Sequence, residues 1–123
     1  MTTPMIDIDN SDIETCGFVL RVREDKESEY LRRHDQLWPE MKAALLSSGI
    51  LHYEIWLHQP TRLLFAHQIR RRGSVPTPES EAVIERWRAY MSDVLELDGP
   101  LPYRETLSLQ FRLLVQPDTR SSL

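Results

Sequence analysis

Cysteine is nearly missing from this chain. Cys16 stands alone, so no intrachain disulfide can form and metal motifs built on paired cysteines are excluded. A single thiol suits a reducing compartment, and a cytoplasmic location is expected. Glycine is scarce as well. The four glycines, at 17, 49, 73 and 99, are too scattered to form either glycine-rich nucleotide fingerprint, so no nucleotide cofactor is expected. No run approaches the roughly 20 apolar residues of a membrane span. The first residues are acidic and polar where a signal peptide would be basic and then apolar, so neither export by that route nor a membrane partner is expected. Positive charge is also in deficit: the formal net charge is −4, which gives no overall attraction for phosphate backbones, and nucleic acid is not an expected partner. The one basic run, Arg70-Arg71-Arg72 before Gly73, has no interleaved aromatics and reads as a solvated polar turn.

What is present suits a single globular core. The chain has 123 residues, 41% of them hydrophobic, which is the size of one ordinary domain. Residues 1–15 carry Asp7, Asp9, Asp12 and Glu14 without helical or strand period and read as a loosely ordered N-terminal extension. The core spans 16–115, and 116–123 reads as a C-terminal tail. Within the core, Gly17 to Arg23 alternates with Phe18, Leu20 and Val22 on one face, predicting a first strand. Glu24 to Arg33 and Pro39 to Ser48 form two helical runs. A break is expected near Leu37 and Trp38, because the residue before a proline is driven away from helical geometry, and Gly49 closes the second run. Leu51 to Leu57 and Leu63 to Ile69 alternate around His58-Gln59-Pro60-Thr61-Arg62, predicting a hairpin. Glu79 to Leu95 places Ala82, Val83, Trp87, Tyr90, Met91, Val94 and Leu95 on one helical stripe. Thr106 to Val115 alternates again and predicts a last strand. The order βαββαβ points to an α+β, ferredoxin-like sandwich whose helices lie together on one face of a four-stranded antiparallel sheet. Residues such as Tyr53, Phe65 and His67 are expected on the other face, which a second subunit would cover, making a homodimer.

Few side-chain patterns carry chemistry. The histidines at 34, 52, 58 and 67 never form a tight helical pair. His52 and His58 could share a strand face, but no carboxylate motif surrounds them, so no metal site is expected. The stretch Tyr30-Leu31-Arg32-Arg33-His34 is more informative, because Tyr30 and His34 sit four apart on a helix and an imidazole beside a phenol can deliver a proton near neutral pH. Spacing alone leaves open a structural reading, in which His34 is a helix C-terminal residue interacting with the dipole. Trp87 can equally be core or a platform for a sugar, and Tyr53 can equally be a packed aromatic.

Taken together, Tyr30, Arg33-His34, Trp38-Pro39-Glu40, Tyr53-Glu54-Ile55-Trp56-Leu57, Leu63-Leu64-Phe65-Ala66, Arg86-Trp87, Tyr90-Met91 and Asp93 resemble the L-rhamnose mutarotase family from about Gly17 to Leu113. The resemblance implies a dimeric α+β barrel built from two ferredoxin-like subunits. It implies an isomerase that interconverts the α and β anomers of L-rhamnose or a related free 6-deoxy sugar, without cofactor or metal. It also implies that His34 is the proton donor and that Tyr30, Tyr53 and Trp87 contact the sugar. Arg88 follows Trp87 where the family commonly has a second tryptophan, so a charge would replace one apolar wall of the pocket. A noncatalytic small-molecule-binding barrel and a monooxygenase-like member of the same architecture are the competing readings.

Overall fold

A computed structural model describes residues 12–113. The first strand, β1 (Ile13–Arg21), is followed by α1 (Glu27–Asp35) and α2 (Pro39–Ser47). The hairpin β2 (Ile50–His58) and β3 (Leu63–Arg71) comes next, and then α3 (Pro78–Tyr90), which tightens into a 3₁₀ turn at Met91–Asp93. Two short strands, β4 (Leu97–Asp98) and β5 (Leu101–Pro102), pair as a small ribbon before β6 (Glu105–Leu107). The main sheet has the order β2-β3-β1-β6 with antiparallel neighbours. This is the ferredoxin-like arrangement expected of βαββαβ.

The local signals explain the element ends. Trp38 is extended, with φ −58° and ψ 134°, as a residue before proline must be, and Pro39 opens α2. The Thr77 side chain caps α3 by accepting from the Ser80 amide at 3.1 Å, again with a proline in the first turn. Gly49 has φ +100°, and a Cβ there would come within 2.0 Å of the Ser74 hydroxyl oxygen. Only glycine fits that turn.

Several expectations need correction. The first strand begins at Ile13 and so takes in residues assigned to the loose extension; Arg71 pairs with Ile13 and draws that end onto the sheet. The remainder of that extension, residues 1–11, and the segment 114–123 lie outside the described residues. Among the described residues the last strand is shorter than expected of Thr106 to Val115: Glu105–Leu107 pairs with β1, opposite Val19, Phe18 and Gly17. Beyond it the alternating side chains Leu109, Phe111 and Leu113 are exposed, a strand pattern without a neighbour among the described residues. Finally, the arginine run is not a solvated turn. Arg70 and Arg71 end β3, and Arg70 donates to the carbonyls of Ser48 and Ser74 at 3.1 and 2.8 Å, fastening the turn after β3 to the end of α2.

The sheet register also sorts the strand residues by face. Phe18 pairs with Ala66 and Ala66 with Ile55, and these point toward the helices, where Val22, Tyr30, Met41, Leu64, Trp87, Met91, Val94 and Leu95 form the core. Tyr53 pairs with Gln68 and shares that helix-facing side, whereas Phe65 and His67 point the other way. The expectation that Tyr53, Phe65 and His67 share one face therefore fails. A bulge at Leu51, between the pairs Ile50–Arg70 and His52–Ile69, lets both Ile50 and Tyr53 face the helices despite their odd spacing.

Candidate active site

Helix α1 carries Tyr30 and, one turn later, His34 on its sheet-facing side. Their rings stack with centroids 4.3 Å apart and an interplanar angle of 34°, the outcome of four-residue spacing on a helix. Trp87 of α3 meets the imidazole edge-on at 5.5 Å. Trp38 crosses Trp87 at 5.0 Å, and Tyr90 closes the group at 5.2 Å from Trp38 and 5.5 Å from Trp87. Tyr30 and Trp87 are each 8% exposed, so both belong to the core and to the wall around His34 at once. The choice between core and platform is not exclusive here.

The imidazole is held in one orientation. His34 Nδ1 lies 3.0 Å from the carbonyl oxygen of Tyr30. A carbonyl only accepts, so Nδ1 carries the hydrogen and Nε2 is the open acceptor of the neutral ring. Burial pushes the His34 pKa below its ordinary range, outweighing the opposite influences of the Tyr30 carbonyl and the Asp35 carboxylate. Desolvation disfavours the cation, and the ring is therefore neutral at pH 7 with a free Nε2.

The two tyrosines are tuned the other way. Burial raises the Tyr30 phenol far above its ordinary range, and nearby Tyr53 raises it further. Tyr53 is also raised by burial, against a hydrogen bond with Gln68 and the positive charge of Arg104. Both are neutral hydroxyls suited to hydrogen bonding, and neither is a base.

Arg33 fixes the helix that carries these groups. It donates to Glu29 on its own helix at 2.7 Å, to the carbonyl of Tyr90 at 2.7 Å, and to both carboxylate oxygens of Asp93 at 2.7 and 3.2 Å. Its guanidinium also lies over the Tyr90 ring, 4.3 Å from the centroid. The planar fork thus ties α1 to the end of α3.

All four residues singled out from the sequence lie on the helix-facing side: His34, Tyr30 and Trp87 meet directly, and Tyr53 approaches from β2. Arg88 does not belong to this wall, because the next position on the helix turns it outward, where it is exposed and paired with Glu85. Sequence reasoning missed Trp38, Tyr90, Gln68 and Arg104. Trp38 and Tyr90 were visible as a helix break, a stripe residue and pieces of the family resemblance, without a place in the site, while Gln68 and Arg104 reach Tyr53 through contacts that no local pattern shows. Separately, an open concavity of about 790 Å³ lies on the helix-free face, lined mainly by apolar groups including Trp56, Phe65, Ile69 and Leu107. It is remote in character from the His34 site and offers few polar groups for a sugar.

The fold and these side chains define a ferredoxin-like α+β chain with an oriented, partly buried imidazole among aromatic walls. The family model for L-rhamnose mutarotase matches residues 15–111. The L-rhamnose mutarotase of Burkholderia ambifaria is 39% identical over 104 residues, covering 82% of this chain and 99% of that protein. That of Salmonella newport is 42% identical over 80 residues, covering 64% of this chain and 77% of that protein. Among solved structures, the L-rhamnose mutarotase of Formosa agariphila superposes with a TM-score of 0.69 at 27% identity, over 82% of this chain and 99% of that one. A protein described as a putative antibiotic biosynthesis monooxygenase, from Nitrosomonas europaea, aligns with a TM-score of 0.50 at 10% identity over 80% of this chain and 88% of that one, a likeness of fold alone. The chain belongs to the L-rhamnose mutarotase family, whose members are carbohydrate isomerases.

Proposed function

We propose that this chain interconverts the α and β anomers of L-rhamnose, or a closely related free 6-deoxy sugar, with His34 moving the proton. The observation that carries the mechanism is the anchored ring: Nδ1 is committed to the Tyr30 carbonyl, which leaves Nε2 as the one nitrogen available to substrate. Opening a pyranose moves a proton from the anomeric hydroxyl to the ring oxygen as the bond between C1 and that oxygen breaks. Neutral His34 takes the hydroxyl proton at Nε2, and the resulting imidazolium donates it to the departing ring oxygen. Rotation about C1–C2 and the reverse sequence close the ring on the other face of the aldehyde. A depressed pKa suits both halves, since the resting ring is neutral and the imidazolium is a strong donor. No separate base is required.

Tyr30 and Tyr53 supply neutral hydroxyls to the sugar, and Trp87 covers its apolar C–H face and methyl group. The working form is a homodimer in the cytoplasm. Its support is the helix-free sheet face, where Trp56, Phe65 and Leu107 remain exposed together with Leu109 and Phe111, more apolar surface than an isolated subunit ordinarily leaves to water. No helix among the described residues is long and apolar enough to cross a membrane.

The test is anomer exchange measured by NMR saturation transfer on a panel of free aldoses. L-rhamnose exchange is accelerated over the buffer rate, and His34→Asn keeps the fold but loses about 100-fold or more of that acceleration. Near-wild-type exchange in His34→Asn overturns the assignment of His34. Wild-type protein that binds L-rhamnose without accelerating exchange overturns the activity.

A further inference from the structure

The sheet face away from the helices carries a second cluster of chemistry-bearing side chains, unconnected with His34. After the bulge at Leu51, the even-numbered residues of β2 point away from the helices, so His52 and Glu54 emerge side by side. His67 on β3 is the cross-strand partner of Glu54. Three potential ligands are thereby brought together by backbone register alone. His52 Nε2 is 3.3 Å from Glu54 Oε1, and His67 Nδ1 is 3.9 Å from Glu54 Oε2. One ligand atom from each residue can be chosen so that all three lie within 4.8 Å of one another.

We propose that His52, Glu54 and His67 form a binding site for a divalent transition-metal ion of the zinc type. Two neutral imidazoles and one carboxylate are a donor set that zinc favours, and calcium or magnesium would demand more oxygens. Zinc bonds of about 2.0–2.1 Å in a tetrahedron place neighbouring donors roughly 3.3–3.5 Å apart. The His52–Glu54 separation already matches, and a modest rotation of the His67 ring closes the rest. The alternative role, a hydrogen-bonded ion pair, would engage His52 alone, since 3.9 Å is too long for His67 to donate to Glu54. All three side chains are between 42% and 48% exposed in the single subunit, and they lie on the face that the proposed dimer covers, so the fourth position falls to a water or to a group of the second copy. The carboxylate on the bound ion cancels one of its two charges, leaving a net positive point beside the apolar concavity that His67 helps to line.

The sequence pattern does not reveal this trio, because the relevant pairing is across two strands, whereas period along one strand relates His52 to His58. His58 belongs elsewhere: its Nδ1 is 2.7 Å from the Thr61 hydroxyl at the hairpin turn.

The experiment is a calorimetric titration of untagged, chelator-treated protein with zinc chloride. Wild-type protein takes up one zinc per chain at micromolar concentration. Glu54→Gln and His67→Gln, whose exposed positions leave the fold intact by circular dichroism, each weaken binding by about 10-fold or more, while His58→Gln and Cys16→Ser bind as wild type. Absence of saturable binding in the wild type overturns the proposal, as does unchanged binding in Glu54→Gln and His67→Gln. Because the readout is metal uptake, it is independent of the reading of His34.

Discussion

Replacing Arg33 by methionine tests whether the position of His34 depends on the clamp between α1 and α3. Methionine keeps most of the aliphatic stem and removes the fork. The guanidinium side chain is 10% exposed, and its bond to the Tyr90 carbonyl at 2.7 Å is charge-assisted. Such bonds contribute about 1.5–3 kcal/mol, and the guanidinium over the Tyr90 ring adds roughly 0.5–1 kcal/mol. The Tyr90 carbonyl and both carboxylates regain water in the variant, which favours the lower end of that sum and a net loss of about 2 kcal/mol. At roughly 4 °C per kcal/mol for a chain of this length, Tm falls by about 8 °C. The functional consequence is separate. Well below the new Tm, α1 is free to shift against Trp87, and a displacement of about 1 Å at a reacting nitrogen costs up to 100-fold in rate. Thermal unfolding by circular dichroism and anomer exchange per folded molecule give the two numbers. A Tm within about 1 °C of wild type and an unchanged exchange rate would refute the clamp.

Two other perturbations follow from the geometry. His34 has a folded-state pKa below the ordinary value of about 6.5, for which burial is the main cause, and in the proposed reaction the neutral ring takes the first proton. Catalysed exchange, after subtraction of the buffer rate, is therefore full at pH 7 and falls as pH drops through a midpoint below 6.5; a rate that rises on acidification would reverse the assigned order of proton transfers. The same group makes folding stability decline over that range, because the unfolded chain takes up the proton first. Gly49→Ala forces a Cβ into a φ of +100° and against Ser74, at a cost of about 2 kcal/mol or more, and denaturant unfolding that shows a loss below about 0.5 kcal/mol would contradict the strain.

Much of this protein was legible along the chain because the decisive forces were local. Proline at 39 and 78, glycine at 49 and the alternation through β1, β2 and β3 act through backbone geometry within a few residues. They predict the element order and, from that order, the layered α+β arrangement. The pairing of Tyr30 with His34 was equally local, one turn of a helix apart. The short β6 was not legible, since alternation from Thr106 to Leu113 records a preference for a pleated surface and says nothing of whether a neighbouring strand is there to meet it. The faces of β2 were hidden for a related reason. One extra residue at Leu51 resets which side chains meet the helices, and it separates Tyr53 from His67. The anchor that leaves Nε2 open is local too, a carbonyl one turn back on α1; only tertiary packing decided that burial keeps the ring neutral and that Trp38, Tyr90, Gln68 and Arg104 surround the four residues the sequence singled out. The sequence by itself determined where the chain turns and which residues can carry a proton. Desolvation and cross-element contact, which depend on residues distant in the chain, determined that the His34 imidazole rests neutral among aromatic walls.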